Sequence, residues 1–434
     1  MGKKSIVSIV HRDEIPGLPW DYQESDVETI YEMIAEATDL LGGVDSLLPK
    51  NGDVVIKVNS VFSDFTPGVT TTDPRLVEAL ILLLKKRINP KKIRVAENAT
   101  AVWLHPGLSS VDAMESSGIA KAARKHGAEV IALETDAHVE VRIPKAKVFT
   151  SFMCPQTILK ADSIIYMPKM KTHVPAVVTL GMKNAQGILS VSDKFRCHRD
   201  DIHQKMVDLL RAVKPDLVVI DGLWGLQGQS PYVYSTDDII PDLNLVITSQ
   251  DVVAADAVAA AIMGFDPLKE ISTIQIAHNE GLGIGDLARI EVRGKTIEQV
   301  RRPFKRPTVN IVGQLPNANV YMGGACVGGC IGRVQHIFDR YGNPPIPVNF
   351  ILGHGTIVPE DLHGPTFIIG DCAKEHKDRG IFYPGCPPGW SPGWERGGFW
   401  AKFDPDVAKL VPGWKPKLLT SLPPGFPPSK KPQK

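Results

Sequence analysis

The chain has 434 residues, 43% of them hydrophobic and 22% charged, with a formal net charge of +1. That length is enough for two or three domains with sizeable cores, and the balanced charge excludes a global field steering the protein to nucleic acid or an anionic membrane. No apolar run approaches the roughly 18 residues a membrane span needs, so recognition is local, no membrane span is expected and the expected location is cytoplasmic.

The N-terminal run Ser5–Val10 is interrupted by serines and ends at His11-Arg12-Asp13-Glu14, the pattern of a first strand rather than a secretory signal. A helix follows from Asp26 to Leu41, then an apolar strand, Asp53–Asn59, and a polar loop, Ser60–Thr71. Asp73-Pro74 opens the next helix, with Asp73 as cap and Pro74 at its first position. Strands and helices then alternate: Lys92–Glu97, helix Val111–His126, Glu129–Leu133, Ser163–Met167, helix Ile202–Val213, Leu217–Asp221, Leu243–Thr248 and helix Val252–Met263. This alternation predicts an α/β fold, a mostly parallel sheet covered by helices on both faces.

Beyond a strand at Ala288–Gly294 and a linker at Arg301–Pro307, a smaller C-terminal α/β unit is expected. It has strands at Asn319–Met322, Pro347–Leu352 and Pro365–Gly370 and a helix over Gly332–Tyr341. The expected domains are 1–300, a cysteine-containing unit over 308–390, and an irregular Pro/Trp-rich tail, 391–434, extended and suited to homo-oligomer contacts.

The densest chemistry follows Ser163–Met167. Lys169, Lys171, His173 and Lys183 fall within fifteen positions, and no acidic residue occurs between Asp162 and Asp193. Lysines presented in a loop at a strand's end suit a carboxylate- or phosphate-bearing metabolite. Lys57, Asn59, Glu97, Asn98, Asp221 and Asp251 also sit at predicted strand ends, which points to one composite site. Asn184 lies beside Lys183, and Asp256, one turn beyond Asp251, is a candidate partner for a lysine of the loop. His198 and His203 are candidate acid/base groups flanking Asp200, against the plainer reading of a polar helix start. The glycine-rich Gly222–Gly228 matches neither a dinucleotide fingerprint nor a P-loop and reads as a lid or tight turns.

Of six cysteines, Cys154 and Cys197 read as buried fillers. Cys326, Cys330, Cys372 and Cys386 lie on glycine- and proline-rich turns after strands, where thiolates can converge on one metal centre. The spacing is neither a close ferredoxin run nor a paired zinc arrangement, and iron–sulfur, zinc and free thiols or a disulfide stay open.

The segments Val55–Asn59, Thr71–Pro74, Pro168–His173, Gly181–Asn184 with Gly187, Lys214–Leu217 with Asp221-Gly222, and Asp251–Ala257 together resemble the domain of unknown function 362 family, over roughly Ile6–Gly294. Val58 stands where the family usually has proline, and Ser230 interrupts what is often a Gly-Pro turn; neither removes a charged group. The resemblance implies an association with iron–sulfur centres, here a 4Fe-4S cluster on the four late cysteines. The expectation is therefore an iron–sulfur protein binding a small anionic metabolite for redox or Lewis-acid chemistry. The alternatives are a lysine/histidine isomerase or lyase, and a subunit of a larger redox complex partnered by an electron-transfer protein.

Overall fold

The structure, a computed structural model, describes residues 4–61, 68–99, 108–389 and 398–417. The strands in chain order begin with β1 (Ser5–His11), β2 (Asp53–Val58), β3 (Lys92–Glu97), β4 (Glu129–Ala132), β5 (His138–Arg142) and β6 (Ser151–Pro155). The next are β7 (Ser163–Met167), β8 (Lys169–His173), β9 (Val177–Thr179), β10 (Leu217–Leu226), β11 (Ile239–Ile240), β12 (Leu245–Ser249) and β13 (Ile290–Gly294). The second sheet holds β14 (Ala318–Met322), β15 (Val348–Leu352), β16 (Thr366–Ile369) and β17 (Ile381–Tyr383).

The main sheet runs β13-β1-β12-β10-β7-β2-β3-β4, parallel except for β12, which pairs antiparallel with both neighbours. Period-two alternation sends Val55 and Val7 into one apolar core and Val54, Ile56 and Val10 into the other, so helices cover both faces. The expected α/β architecture is the one observed. The C-terminal unit is a four-stranded parallel sheet, β14-β15-β16-β17, with its own core.

Local differences have physical causes. The expected helix Val111–His126 is two helices, Ser110–Ser116 and Ile119–Lys125, broken where Gly118 takes φ 78°. Gly222–Leu226 is not a lid but a continuation of β10. A Cβ on Gly222 would stand 3.1 Å from the carbonyl oxygen of Leu245, so glycine there admits the antiparallel neighbour. Lys169–His173 is itself a strand, pairing with β10 and β9, rather than a loop.

The expected extended tail contains the helix Gly398–Leu410. Its Phe399, Phe403 and Val407, with Val411 and Trp414 beyond, pack among Phe338, Phe350, Phe367 and Tyr383 of the second sheet. These tail residues are thus part of the chain's own second core. Trp390, Trp394, part of the Ser60–Thr71 loop and the last seventeen positions of the tail lie outside the described residues. No helix among the described residues is long and apolar enough to cross a membrane.

Candidate functional site

Parallel strands bring their carboxyl ends to one edge of the sheet, and there a cavity of about 120 Å³ opens between the main sheet and the cysteine-bearing unit. Lys57, Asn59, Lys171, His173, Lys183, Asn184 and His198 all line it. From the second unit come Val327, Gly328, Gly329, Arg333, His336 and Pro387. The turn carrying Cys326 and Cys330 is therefore one wall of the lysine cavity. A Cβ on Gly328 would lie 2.6 Å from the carbonyl oxygen of His198, so glycine permits that approach. Arg199 Nε donates to the Cys386 carbonyl at 2.8 Å across the same boundary.

The lysines fall into two groups. Lys57 and Lys169 are neutralised. Lys57 Nζ lies 2.9 Å from Glu97, whose carboxylate also accepts from Ser60 N and Asn98 N, each at 2.9 Å. Lys169 Nζ lies 3.0 Å from Asp221, both side chains fully buried, and Asp221 also accepts from Asp73 N at 2.7 Å. This second pair does not line the cavity; it ties β8 to β10 beneath it.

Lys171, Lys183 and Lys194 also line the cavity, and Lys171 and Lys183 have no carboxylate among the described residues in salt-bridge contact. Lys171 Nζ has neutral acceptors, Asn59 Oδ1 at 2.8 Å and Thr70 O at 2.6 Å. Lys194 Nζ donates to the Asn98 carbonyl. Lys183 Nζ has no hydrogen-bond partner among the described residues. Burial, joined by the charges of Lys183 and Lys169, holds Lys171 well below the usual lysine range. Burial likewise pulls Lys183 down to about 8 and Lys194 to about 7. Ser60 Oγ, Asn98 Oδ1, Thr179 Oγ1, Gln186 Oε1 and Arg333 Nε, all on cavity-lining residues, are buried polar atoms without a hydrogen-bond partner.

Two of the three histidines lining the cavity, His173 and His198, carry opposite tautomers. His173 Nδ1 accepts the Ala176 N–H at 3.3 Å, which leaves the proton on Nε2. His198 Nδ1 faces the Lys194 carbonyl at 2.8 Å and must donate to it, which leaves Nε2 with a lone pair. Burial and the Lys183 charge depress both, His198 to about 3. One ring can thus donate a hydrogen bond to a ligand and the other accept one without either being charged at rest.

Three other expected residues lie elsewhere. Asp256 does not meet a lysine; it accepts from Gly181 N at 2.7 Å and Met182 N at 2.9 Å, bracing the turn that carries Lys183, and burial raises its carboxyl to about 7. His203 lies outside the cavity lining, its Nδ1 2.8 Å from Thr273 Oγ1. Asp251 belongs to the opposite edge of the sheet, because β12 runs antiparallel; there it caps the Val252–Ile262 helix and meets Ser5. Sequence reasoning missed Lys194, Arg333 and His336. Lys194 shares a short helix with His198, and Arg333 and His336 fall three apart just after Cys330, a spacing that places them on one helix face.

In the second unit the four cysteines gather at the carboxyl edge of its parallel sheet, after β14, β16 and β17. Burial pushes the Cys330 thiol up, and the neighbouring Cys326, Cys372 and Cys386 push the same way. Bare backbone lies against them: a Cβ on Gly370 would come 2.5 Å from Cys330 Sγ, and one on Gly329 3.0 Å from Cys326 Sγ. Among the described residues no three or more His, Cys, Asp or Glu side chains are arranged to hold a metal ion as they stand.

A thylakoid-associated protein of Synechocystis sp. is 28% identical over 147 residues, 32% of this chain and 43% of the relative, so less than half of that relative is matched. Among solved structures, the lactate racemase apoprotein of Thermoanaerobacterium thermosaccharolyticum aligns at TM-score 0.37 and 13% identity, over 60% of this chain and 57% of the other. A Thermotoga maritima protein aligns at TM-score 0.33 and 13% identity, over 55% and 57%. Residues 54–261 match the family described as Domain of unknown function (DUF362), a narrower span than the resemblance read from the sequence. Those residues include Lys57, Lys171, His173, Lys183, Lys194 and His198 but none of the four late cysteines, and it is over them that the chain matches that family.

Proposed function

We propose that the protein binds a small anionic metabolite in the cavity between its two units and acts on it beside an iron–sulfur centre. One observation carries this reading. Lys171 and Lys183, with Lys194 also in the lining, converge on a cavity where the lining carboxylate Glu97 is already paired with Lys57. Burial and the neighbouring lysine charges lower Lys171, and burial lowers Lys183, so a carboxylate or phosphate entering beside them would favour their ammonium forms and be held by charge-assisted hydrogen bonds. The unpartnered hydroxyl and amide atoms of Ser60, Thr179 and Gln186 would orient its remaining polar groups.

Cys326, Cys330, Cys372 and Cys386 would hold the cluster, for which we favour 4Fe-4S. Four thiols from three segments with glycine backbone beside them suit a bulky cluster, whose ligands sit on separate irons, better than one tetrahedral ion. When bound it would supply either an electron or, with an iron left open, a Lewis acid next to the anion. A cytoplasmic electron-transfer partner or a larger redox complex would serve the first case. The chain's own residues would bind the anion through Lys171 and Lys183, with His173 Nε2–H donating a hydrogen bond to it and His198 Nε2 accepting one.

The histidine tautomers favour a second reading, a lysine/histidine isomerase or lyase in which the same groups shuttle a proton on a carbon acid and the cysteines are structural. Thermal-shift screening of carboxylates and phosphates tests the cavity: stabilisation in the wild type that disappears in Lys171→Ala supports it, and equal responses from both count against it. Iron and acid-labile sulfide in anaerobically purified protein separate the two readings; an iron-free preparation leaves the isomerase or lyase.

A further inference from the structure

The cavity has a second cationic pole that belongs to the cysteine-bearing unit. Arg333 lies in the first turn of the Gly332–Tyr341 helix, 7% exposed, and lines the same cavity as the lysines of the main sheet. Its guanidinium is fixed from behind: the Phe399 ring centroid is 4.7 Å away and that of Trp400 5.7 Å, both on the C-terminal helix. Nη2 donates to the Pro388 carbonyl at 3.3 Å, while Nε is buried without a partner and no carboxylate among the described residues pairs with the group. The lining also has an apolar and aromatic part, Val174, Pro175, Pro231 and Tyr232. Tyr232 packs edge-on against His336 at 4.5 Å, and His336 Nδ1 lies 3.0 Å from Tyr234 Oη, which closes that side.

An anchored arginine with no carboxylate partner among the described residues, in one cavity with lysines from the other unit, suits a ligand with two negative groups. We propose that the ligand is a dianion with two separated anionic groups, a dicarboxylate or a phosphocarboxylate. One end sits beside Lys171 and Lys183 and the other on Arg333, so that the ligand contacts both units. The proposal rests on the anion-site reading above and adds the length and valence of the substrate. Guanidinium suits this role because it is always charged and offers paired N–H donors to a planar carboxylate.

The test is calorimetric binding to the anaerobically purified full chain. The ligands are the dicarboxylates from oxalate to glutarate, the matching monocarboxylates from acetate to pentanoate, and phosphoglycolate. The wild type should prefer one dicarboxylate length, or phosphoglycolate, over the matching monocarboxylate by tenfold or more. Arg333→Gln should lose that preference while monocarboxylate binding stays within twofold, and Arg333→Lys should recover part of it. Circular dichroism of both variants reports on folding. Monocarboxylates and dianions binding the wild type equally, with Lys171→Ala abolishing both, would overturn the dianion proposal and leave the anion site standing. No binding by any of these ligands would overturn both. A change confined to the iron–sulfur spectrum in Arg333→Gln, with the dicarboxylate preference intact, would give the arginine to the cluster instead and also refute the proposal.

Discussion

Lys183→Met should make the ligand-free protein more stable and deaf to anions. Burial lowers the Lys183 ammonium from 10.5 to about 8, a gap in which each pKa unit corresponds to about 1.4 kcal/mol. The full charge penalty is therefore about 3 kcal/mol, and partial exposure of the side chain reduces the recoverable part to about 1–2 kcal/mol. Methionine keeps the apolar stem and forfeits no hydrogen bond to the described residues. The pH dependence has a definite sign. Because the folded pKa lies below the unfolded one, the unfolded chain binds more protons between pH 8 and 10.5, and wild-type stability from this group rises with pH across that window. Methionine removes that rise. Urea unfolding at pH 7 and pH 10, with and without an anion that stabilises the wild type, reads both effects: a gain at pH 7 that shrinks by pH 10, and no anion response. A variant that is destabilised by more than about 1 kcal/mol yet still stabilised by the anion would refute the reasoning.

Gly187→Ala should break the Lys57–Glu97 pair, since a Cβ there would stand within 2.3 Å of Lys57 Nζ and 2.0 Å of Glu97 Oε1. Leaving either charge buried alone costs about 3–5 kcal/mol, visible as an earlier urea midpoint; an unchanged midpoint would show the pair is dispensable. Serine at Cys326, Cys330, Cys372 or Cys386 should lower iron content, whereas Cys154→Ser and Cys197→Ser, at fully buried sites outside the group, should retain it by colorimetric assay. Truncation before Gly398 removes Phe399, Phe403, Val407, Val411 and Trp414 from the second core. At about 1.5–3 kcal/mol each, that is on the order of 10 kcal/mol, so limited proteolysis should digest residues 308–389 in the truncated form and spare them in the full chain.

The α/β alternation was legible because strands such as Val54–Val58 are apolar on both faces and the helices between them begin at caps like Asp73-Pro74. The basic cluster was legible because Lys171, His173 and Lys183 lie close together with no acid among them. Pairing across the fold was not. Lys57 with Glu97 and Lys169 with Asp221 join residues 40 and 52 positions apart, and only the sheet order says which lysines are already neutralised. The same sheet order moves Asp251 to the far edge, since nothing local in Leu245–Ser249 announces an antiparallel strand. Arg333 escaped notice because its role depends on rings from a tail that reads as proline-rich and aperiodic, yet folds into a helix where Phe399, Phe403 and Val407 repeat at helical spacing.

The most direct test of the central claim is an electron paramagnetic resonance spectrum of the anaerobically purified, dithionite-reduced protein, with iron quantified, recorded before and after adding an anion that stabilises the fold. A cluster signal that shifts with the anion, is lost in Cys326→Ser and no longer shifts in Lys171→Ala would place an iron–sulfur centre beside the anion. A silent, iron-free sample would contradict that account and leave the histidine pair as the chemistry of the cavity.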